Sequence, residues 1–294
     1  MPVPSPYAAA LAAIPVREAV VEVLGSRTRY WEYGPTDRPV DLVLVHGYRG
    51  DHHGLEPIVS RLDGLRVVSP DLPGFGASTP FEGHHSLEGY GRWLTAFLTA
   101  LDLTGIPLLG HSFGSIVVSH AIAAGLHTRR LILVNPIAAD AMSGAGRLLV
   151  PFTRLYFRIG RALPARAAEV WLGNALATRA MSVTLARTRD KQLRRWIHEE
   201  HHRFFAGFSD AGTLAEGYDA SLSTNVIAAA RALTMPTLLI AGDLDTIAPL
   251  SGQRHLAELL PDVELVVIEG VGHLIHYEKP TEAAAAIRKF LEQG

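Results

Sequence analysis

Six short, almost wholly apolar runs recur along this chain: "VDLVLVHG" (40–47), "LRVVSPDL" (65–72), "IPLLGHS" (106–112), "RLILVNP" (130–136), "PTLLIAG" (236–242) and "VELVVIEG" (263–270). A strand that is apolar on both faces must be covered on both, the condition met in a parallel sheet flanked by helices. Helical patterns between the runs supply that cover, notably "SLEGYGRWLTAFLTALDL" with Ser86 as its N-cap, "FGSIVVSHAIAAGL" after Ser112, and "TEAAAAIRKFLEQG" at the end. The expected class is therefore α/β, with reactive groups beyond the carboxyl ends of the strands. Upstream, "VVEVLGSRTRYWEYG" (20–34) carries two β-rich runs around Gly25 and Ser26 and predicts an antiparallel hairpin.

About 95 residues separate the fourth run from the fifth, far more than a crossover needs. Their pattern is helical, and residues 137–231 hold 13 Lys plus Arg against 8 Asp plus Glu. That segment is thus about +5 and the remainder about −7, given a net charge of −2 for the whole. The expected organisation is a core from 1–136 and 232–294, with 137–231 as a helical cap folded over the active edge of the sheet.

The near-neutral total gives no electrostatic reason to expect a nucleic-acid partner. With no cysteine, the chain has no thiol nucleophile, disulfide or Cys-ligated metal. Its start lacks a basic n-region, and Pro15 and Arg17 break the first apolar stretch, so no signal peptide is expected. No run is long enough to span a membrane, and a cytoplasmic location is expected.

"GHSFG" places Ser112 in a G-x-S-x-G pattern. Random order at this composition yields about 0.1 such matches, so the pattern alone is weak. Its setting between an apolar strand and a helix is more specific: such a turn exposes the hydroxyl and presents the Phe113 amide to an oxyanion. A serine hydroxyl also needs a base, and the base an anionic orienter. Of 14 histidines, His273 in "EGVGHLIHYEKP" follows the last strand by a Gly-rich turn and is the candidate base. His276 lies in a more apolar stretch and is read as packing. "AGDLDTIAP" offers two carboxylates, Asp243 and Asp245.

Together, "VHGYRG", "DLPGFGAS" (71–78), "GHSFGS" and "GVGH" make the chain resemble the α/β-hydrolases over nearly its whole length. The resemblance implies eight mostly parallel strands with the cap inserted after the sixth. It implies Tyr48 as the second oxyanion amide, with Arg49 or Gly50 in that role if the loop is shaped differently. His46 and Asp71 become braces of the loops behind the site. Asp245 matches the family's Gly-x-x-Asp placement, whereas Asp243, next to Gly242, is suited to bracing the turn. Serine at the elbow argues against the dehalogenase and epoxide hydrolase branches, which carry aspartate there, and "HGYRG" is not the three-glycine loop of many lipases.

Other signals carry less. "HEEHH" (198–202) matches H-E-x-x-H but lacks a third ligand, and is read as a solvated helix face. The pairs His52–His53 and His84–His85 are read as solvated loop residues. Trp171, Trp196, Phe204, Phe205 and Phe208 are read as cap core before pocket lining, and Arg154, Arg158 and Arg161 as a solvated face before an anion or lipid attractant. The resulting expectation is a serine hydrolase that cleaves a small to medium carboxylic ester, lactone or thioester through an acyl-enzyme. Ser112, His273 and Asp245 do the chemistry, Tyr48 and Phe113 hold the oxyanion, and no cofactor or metal takes part. The partner is a small-molecule substrate, and oligomeric state is not legible. The alternatives are hydrolysis of a C–C bond in a ring-cleavage product and, from another class, a non-catalytic ligand receptor.

Overall fold

The computed structural model describes residues 3–139, 146–205 and 207–293. The stretch 140–145 of the expected cap therefore lies outside the described residues. Leu24 and Gly25, both at positive φ (50° and 81°), form the two-residue turn that joins β1 (Val16–Val23) to β2 (Ser26–Tyr33) as an antiparallel hairpin. The other strands are β3 (Leu42–Val45), β4 (Val67–Pro70), β5 (Leu108–His111), β6 (Leu131–Val134), β7 (Thr237–Gly242) and β8 (Val263–Ile268). They form one eight-stranded sheet in the order β1-β2-β4-β3-β5-β6-β7-β8, parallel from β4 to β8. β2 meets β4 antiparallel.

Every residue of β3 to β7 is buried, as double-sided apolar runs require. Side chains alternate between two layers. Val43, Val45, Leu108, Leu131 and Leu133 pack with the helices Leu87–Ala100 and Phe113–Ala123. Leu42, Leu44, Leu109, Ile132 and Val134 face Ile58, Leu62, Ile287 and Phe290, the last two on the helix Pro280–Glu292. β8 departs from the pattern: it ends the sheet, so its outer surface is only partly covered and Val267 is exposed. Ser86 caps its helix as expected, accepting from the Gly89 amide at 3.1 Å.

Between β6 and β7 the chain forms helices Gly146–Ala162, Ala165–Leu172, Ala175–Leu185, Lys191–Phe204 and Ala211–Leu222, then a 3₁₀ turn Val226–Ala232. Within the helical pattern of 137–231, Asp190 starts a new helix by accepting from the Gln192 and Leu193 amides (2.7 and 3.1 Å). The insertion is tied to the loop after β4 by two backbone bonds, Gly76 N to Gly207 O and Ser209 N to Gly74 O, both 3.0 Å. Among the described residues no helix is long and apolar enough to cross a membrane.

Candidate active site

Ser112 sits between β5 and the helix Phe113–Ala123 with φ 54° and ψ −118°, a conformation that side chains rarely adopt. The two flanking glycines make that turn possible. A Cβ at Gly110 would lie 2.6 Å from the Gly114 carbonyl oxygen, and one at Gly114 would lie 2.2 Å from that of Val45. Ser112 N donates to Val134 O (3.1 Å), and Ser115 N returns to Ser112 O (2.9 Å). Strain at the serine is thus held by the neighbouring strand and by the first helical turn.

His273 Nε2 lies 2.8 Å from Ser112 Oγ, and His273 Nδ1 lies 2.7 Å from Asp245 Oδ2. With an ionised carboxylate as acceptor, Nδ1 carries the proton and Nε2 is left to accept from the serine hydroxyl. The other oxygen of Asp245, Oδ1, accepts from the Ile247 and Ala248 amides (2.8 and 2.9 Å). Burial alone would push this carboxyl up, but the His273 ring beside it and the two amides outweigh that and hold it at about 2. Asp243 points elsewhere. It accepts from the Gly270 and Val271 amides (2.8 and 3.3 Å), bracing the turn after β8 rather than its own backbone.

Sequence reasoning missed Asn135. Fully buried after β6, at φ 46°, it donates from Nδ2 to Asp245 Oδ2 (2.6 Å) and to Gly272 O (3.3 Å). A signal existed: an Asn just past an apolar strand, where its tolerance of positive φ is useful, at the same sheet edge as Asp245.

The loop after β3 passes over the serine, close enough that a Cβ at Gly47 would lie 3.2 Å from Ser112 Cβ. Gly50 N is committed to Gly47 O (3.1 Å) in a turn with Arg49 at φ 61°. The amides of Tyr48 and Phe113 have no acceptor among the described residues, and Phe113 opens a helix, where amides lack intrahelical partners. Tyr48 Oη donates to Leu214 O (2.7 Å), and its ring meets Phe113 from the core and Phe157 and Tyr218 from the insertion. Arg49 is buried without a carboxylate partner among the described residues. Its guanidinium donates to Phe205 O (3.1 and 2.8 Å) and Leu172 O (3.0 Å), carbonyls at the C-termini of two inserted helices. His46 accepts from Leu72 N at Nε2 and meets Gly47 O at Nδ1, both 2.8 Å. Asp71 accepts from His52 and Ala77.

Several histidines are more buried than expected. His198 and His201, in "HEEHH", both reach Ser182 Oγ (2.6 and 2.7 Å), while His202 is exposed. The motif is therefore not a solvated face, because one side of the amphipathic helix Lys191–Phe204 packs inward with Trp196 and Ile197. His52 is sandwiched between Trp31 and His53 (3.3 and 3.8 Å between ring centres), and His85 stacks on Phe81 (4.0 Å). His111 is pushed down to about 3 by burial and by neighbouring His273, and His201 likewise by burial and His198. Burial drives His276 well below its usual value, consistent with a packing role. Asp51, His52 and His53 bring donor atoms within 4.8 Å of one another, but His52 Nδ1 already meets Asp71 and Asp51 Oδ1 accepts from His53 N. Trp196 packs on Tyr7 and Tyr277, Phe204 on His53, Phe205 on His201 and Phe208 beside Phe75, while Trp171 is exposed.

The family model described as the alpha/beta hydrolase fold matches residues 42–280. The chain belongs to the α/β-hydrolases. Its relatives include several hydrolases. It is 27% identical to epoxide hydrolase A of Mycobacterium tuberculosis (93% of this chain, 97% of that one) and 28% identical to the pimeloyl-[acyl-carrier protein] methyl ester esterase of Aeromonas hydrophila (85% and 95%). It is 29% identical to 2-hydroxymuconate semialdehyde hydrolase of Pseudomonas putida (78% of each). A thermophilic esterase structure from Thermogutta terrifontis shares the fold, with TM-score 0.75, 22% identity and 94% and 98% coverage. This α/β-hydrolase is accordingly an enzyme of the hydrolase class.

Proposed function

We propose that this α/β-hydrolase cleaves a small to medium carboxylic ester, lactone or thioester through an acyl-enzyme. The observation that carries this is the unbroken relay from Ser112 Oγ through His273 to Asp245, with contacts of 2.8 and 2.7 Å. In the reaction, Oγ attacks the carbonyl carbon as its proton passes to His273 Nε2. The Phe113 and Tyr48 amides receive the developing oxyanion. His273 returns the proton to the leaving alcohol or thiol, and water repeats the sequence to release the acid. Asp245, ionised throughout, keeps the Nδ1 proton in place and favours the imidazolium. The inserted helices act as the cap, supported by the packing of Phe157, Tyr218 and Leu214 on Tyr48. The relatives' names support ester and C–C hydrolysis alike, while serine at the elbow supports the acyl route over the epoxide one.

The test measures turnover of short p-nitrophenyl esters beside a ring-fission dienoate. Ester turnover in the parent, falling at least a thousandfold in Ser112→Ala at unchanged thermal unfolding, is the expected result. Turnover of the dienoate alone would favour C–C hydrolysis. No turnover of either, with retained ligand binding, would favour the receptor.

A further inference from the structure

Seven of the fourteen large apolar side chains left exposed among the described residues fall between 152 and 183. On the helix Gly146–Ala162 they are Phe152, Leu155 and Ile159, at 72%, 54% and 37% exposure. At about 100° per residue these three share an arc of about 60°. Arg154, Arg158 and Arg161, all exposed, fill a second arc of similar width beside it. The inner side of the same helix carries Phe157, buried against Tyr48, and Gly160, where a Cβ would lie 2.5 Å from Leu172. Trp171 of the next helix is joined to this one by its Nε1 bond to Tyr156 O (3.0 Å), and Val170 beside it is 75% exposed.

The charge of the segment is one-sided. Residues 146–189 contain eight arginines and a single acid, Glu169, in a chain whose net charge is −2. Among the described residues, no carboxylate pairs with Arg154, Arg158, Arg161 or Arg166. A helix with an apolar stripe, a cationic flank beside it and no acid on it matches the headgroup boundary of an anionic bilayer: the stripe enters the acyl region and the guanidinium groups stay with the phosphates. We propose that this outer face, Phe152, Leu155 and Ile159 with Arg154, Arg158 and Arg161, docks the enzyme reversibly on an anionic lipid surface. Docking there puts the lipid one helix away from Tyr48, on the opposite side of the helix that covers it. The assignment does not depend on the chemistry given to Ser112.

Co-sedimentation of the full chain with vesicles tests this, using phosphatidylcholine alone and an equimolar mixture with phosphatidylglycerol. Binding is expected only to the mixed vesicles and should weaken with salt. Arg154→Gln, Arg158→Gln and Arg161→Gln combined should weaken it about a hundredfold, since each arginine near a bilayer contributes roughly a fivefold factor. Phe152→Ser should weaken it about tenfold. Both variants change only exposed side chains and should keep the parent's unfolding midpoint. No binding to mixed vesicles, or binding that ignores both variants, overturns the proposal. So does a concentration-dependent dimer abolished by Phe152→Ser without lipid binding, or arginine-dependent retention on an acidic protein with no affinity for vesicles.

Discussion

At the residue scale, the site turns on which of two aspartates serves the histidine. Asp245 has both oxygens engaged, one by His273 and Asn135 and the other by two amides. Asp243 is spent on the turn at Gly270. Asp245→Asn should lower kcat by roughly 10³ to 10⁴, because the amide neither stabilises an imidazolium nor enforces the productive tautomer. Asp243→Asn should cost about 1 kcal/mol of stability and less than about tenfold in rate. Ester kinetics at equal folded fraction check both, and the reverse ranking would move the role to Asp243. Ser112, His273 and the two aspartates were legible in the sequence because each punctuates the end of an apolar strand. Asn135 also follows an apolar strand but was missed, since its contact with Asp245 appears only when β6 and β7 are known to be neighbours, and the insertion separates them.

At the element scale, the inserted helices and the loop after β3 share Arg49. Its charge is compensated by carbonyls at two helix C-termini, where the macrodipole favours a cation. The same turn carries Tyr48, one residue away. Arg49→Met keeps the apolar stem but strands the Phe205 carbonyl and leaves Leu172 O only the longer bond from Tyr156 Oη (3.3 Å), at a cost of about 2 kcal/mol. Loosened helices and a displaced turn should appear together. We expect faster limited proteolysis within 146–205 and a kcat about tenfold lower, with Arg49→Lys recovering part of both. Proteolysis that accelerates while kcat stays at the parent value would show that the turn holds its shape without the guanidinium. The strands were readable because burial on both faces writes an uninterrupted apolar run. The helix breaks of the insertion were less so, being set by single caps such as Asp190, and its packing partners are scattered over the loops after β3 and β4.

At the scale of the whole molecule, buried neutral histidines set the acid limit. His111 and His201 stay unprotonated down to about pH 3 when folded, and His276 is also held well below its ordinary value of 6.5. Once unfolded, each takes up a proton near 6.5. The unfolded state therefore binds more protons below that pH, and stability falls as the pH drops from 6.5 toward 3. His111 and His201 each contribute a loss of about 2 kcal/mol between pH 7 and 5. Glu200, raised to about 7 by burial, acts in the opposite sense over part of that range. His201→Asn keeps an amide near the position of Nδ1, within reach of Ser182, and should reduce the loss between pH 7 and 5 by about 2 kcal/mol, read from urea midpoints. An unchanged loss would mean that His201 is hydrated or protonated in the folded chain. Of these, only the burial of His276 was legible beforehand, from its apolar stretch; that of His111 and His201 was not, because it depends on which face of an element turns inward. The placement of the insertion also bears on the order of folding. Val134 pairs with Ile240, and Asn135 N bonds Ile240 O, across an intervening loop of about 100 residues. Closing so long a loop costs about 4 kcal/mol of chain entropy before any contact is returned. The β6–β7 seam is therefore a late event. Asp245 and His273 both lie beyond it, on the far side from Ser112, so a refolding chain can build the Ser112 turn and most of its core well before that serine meets them.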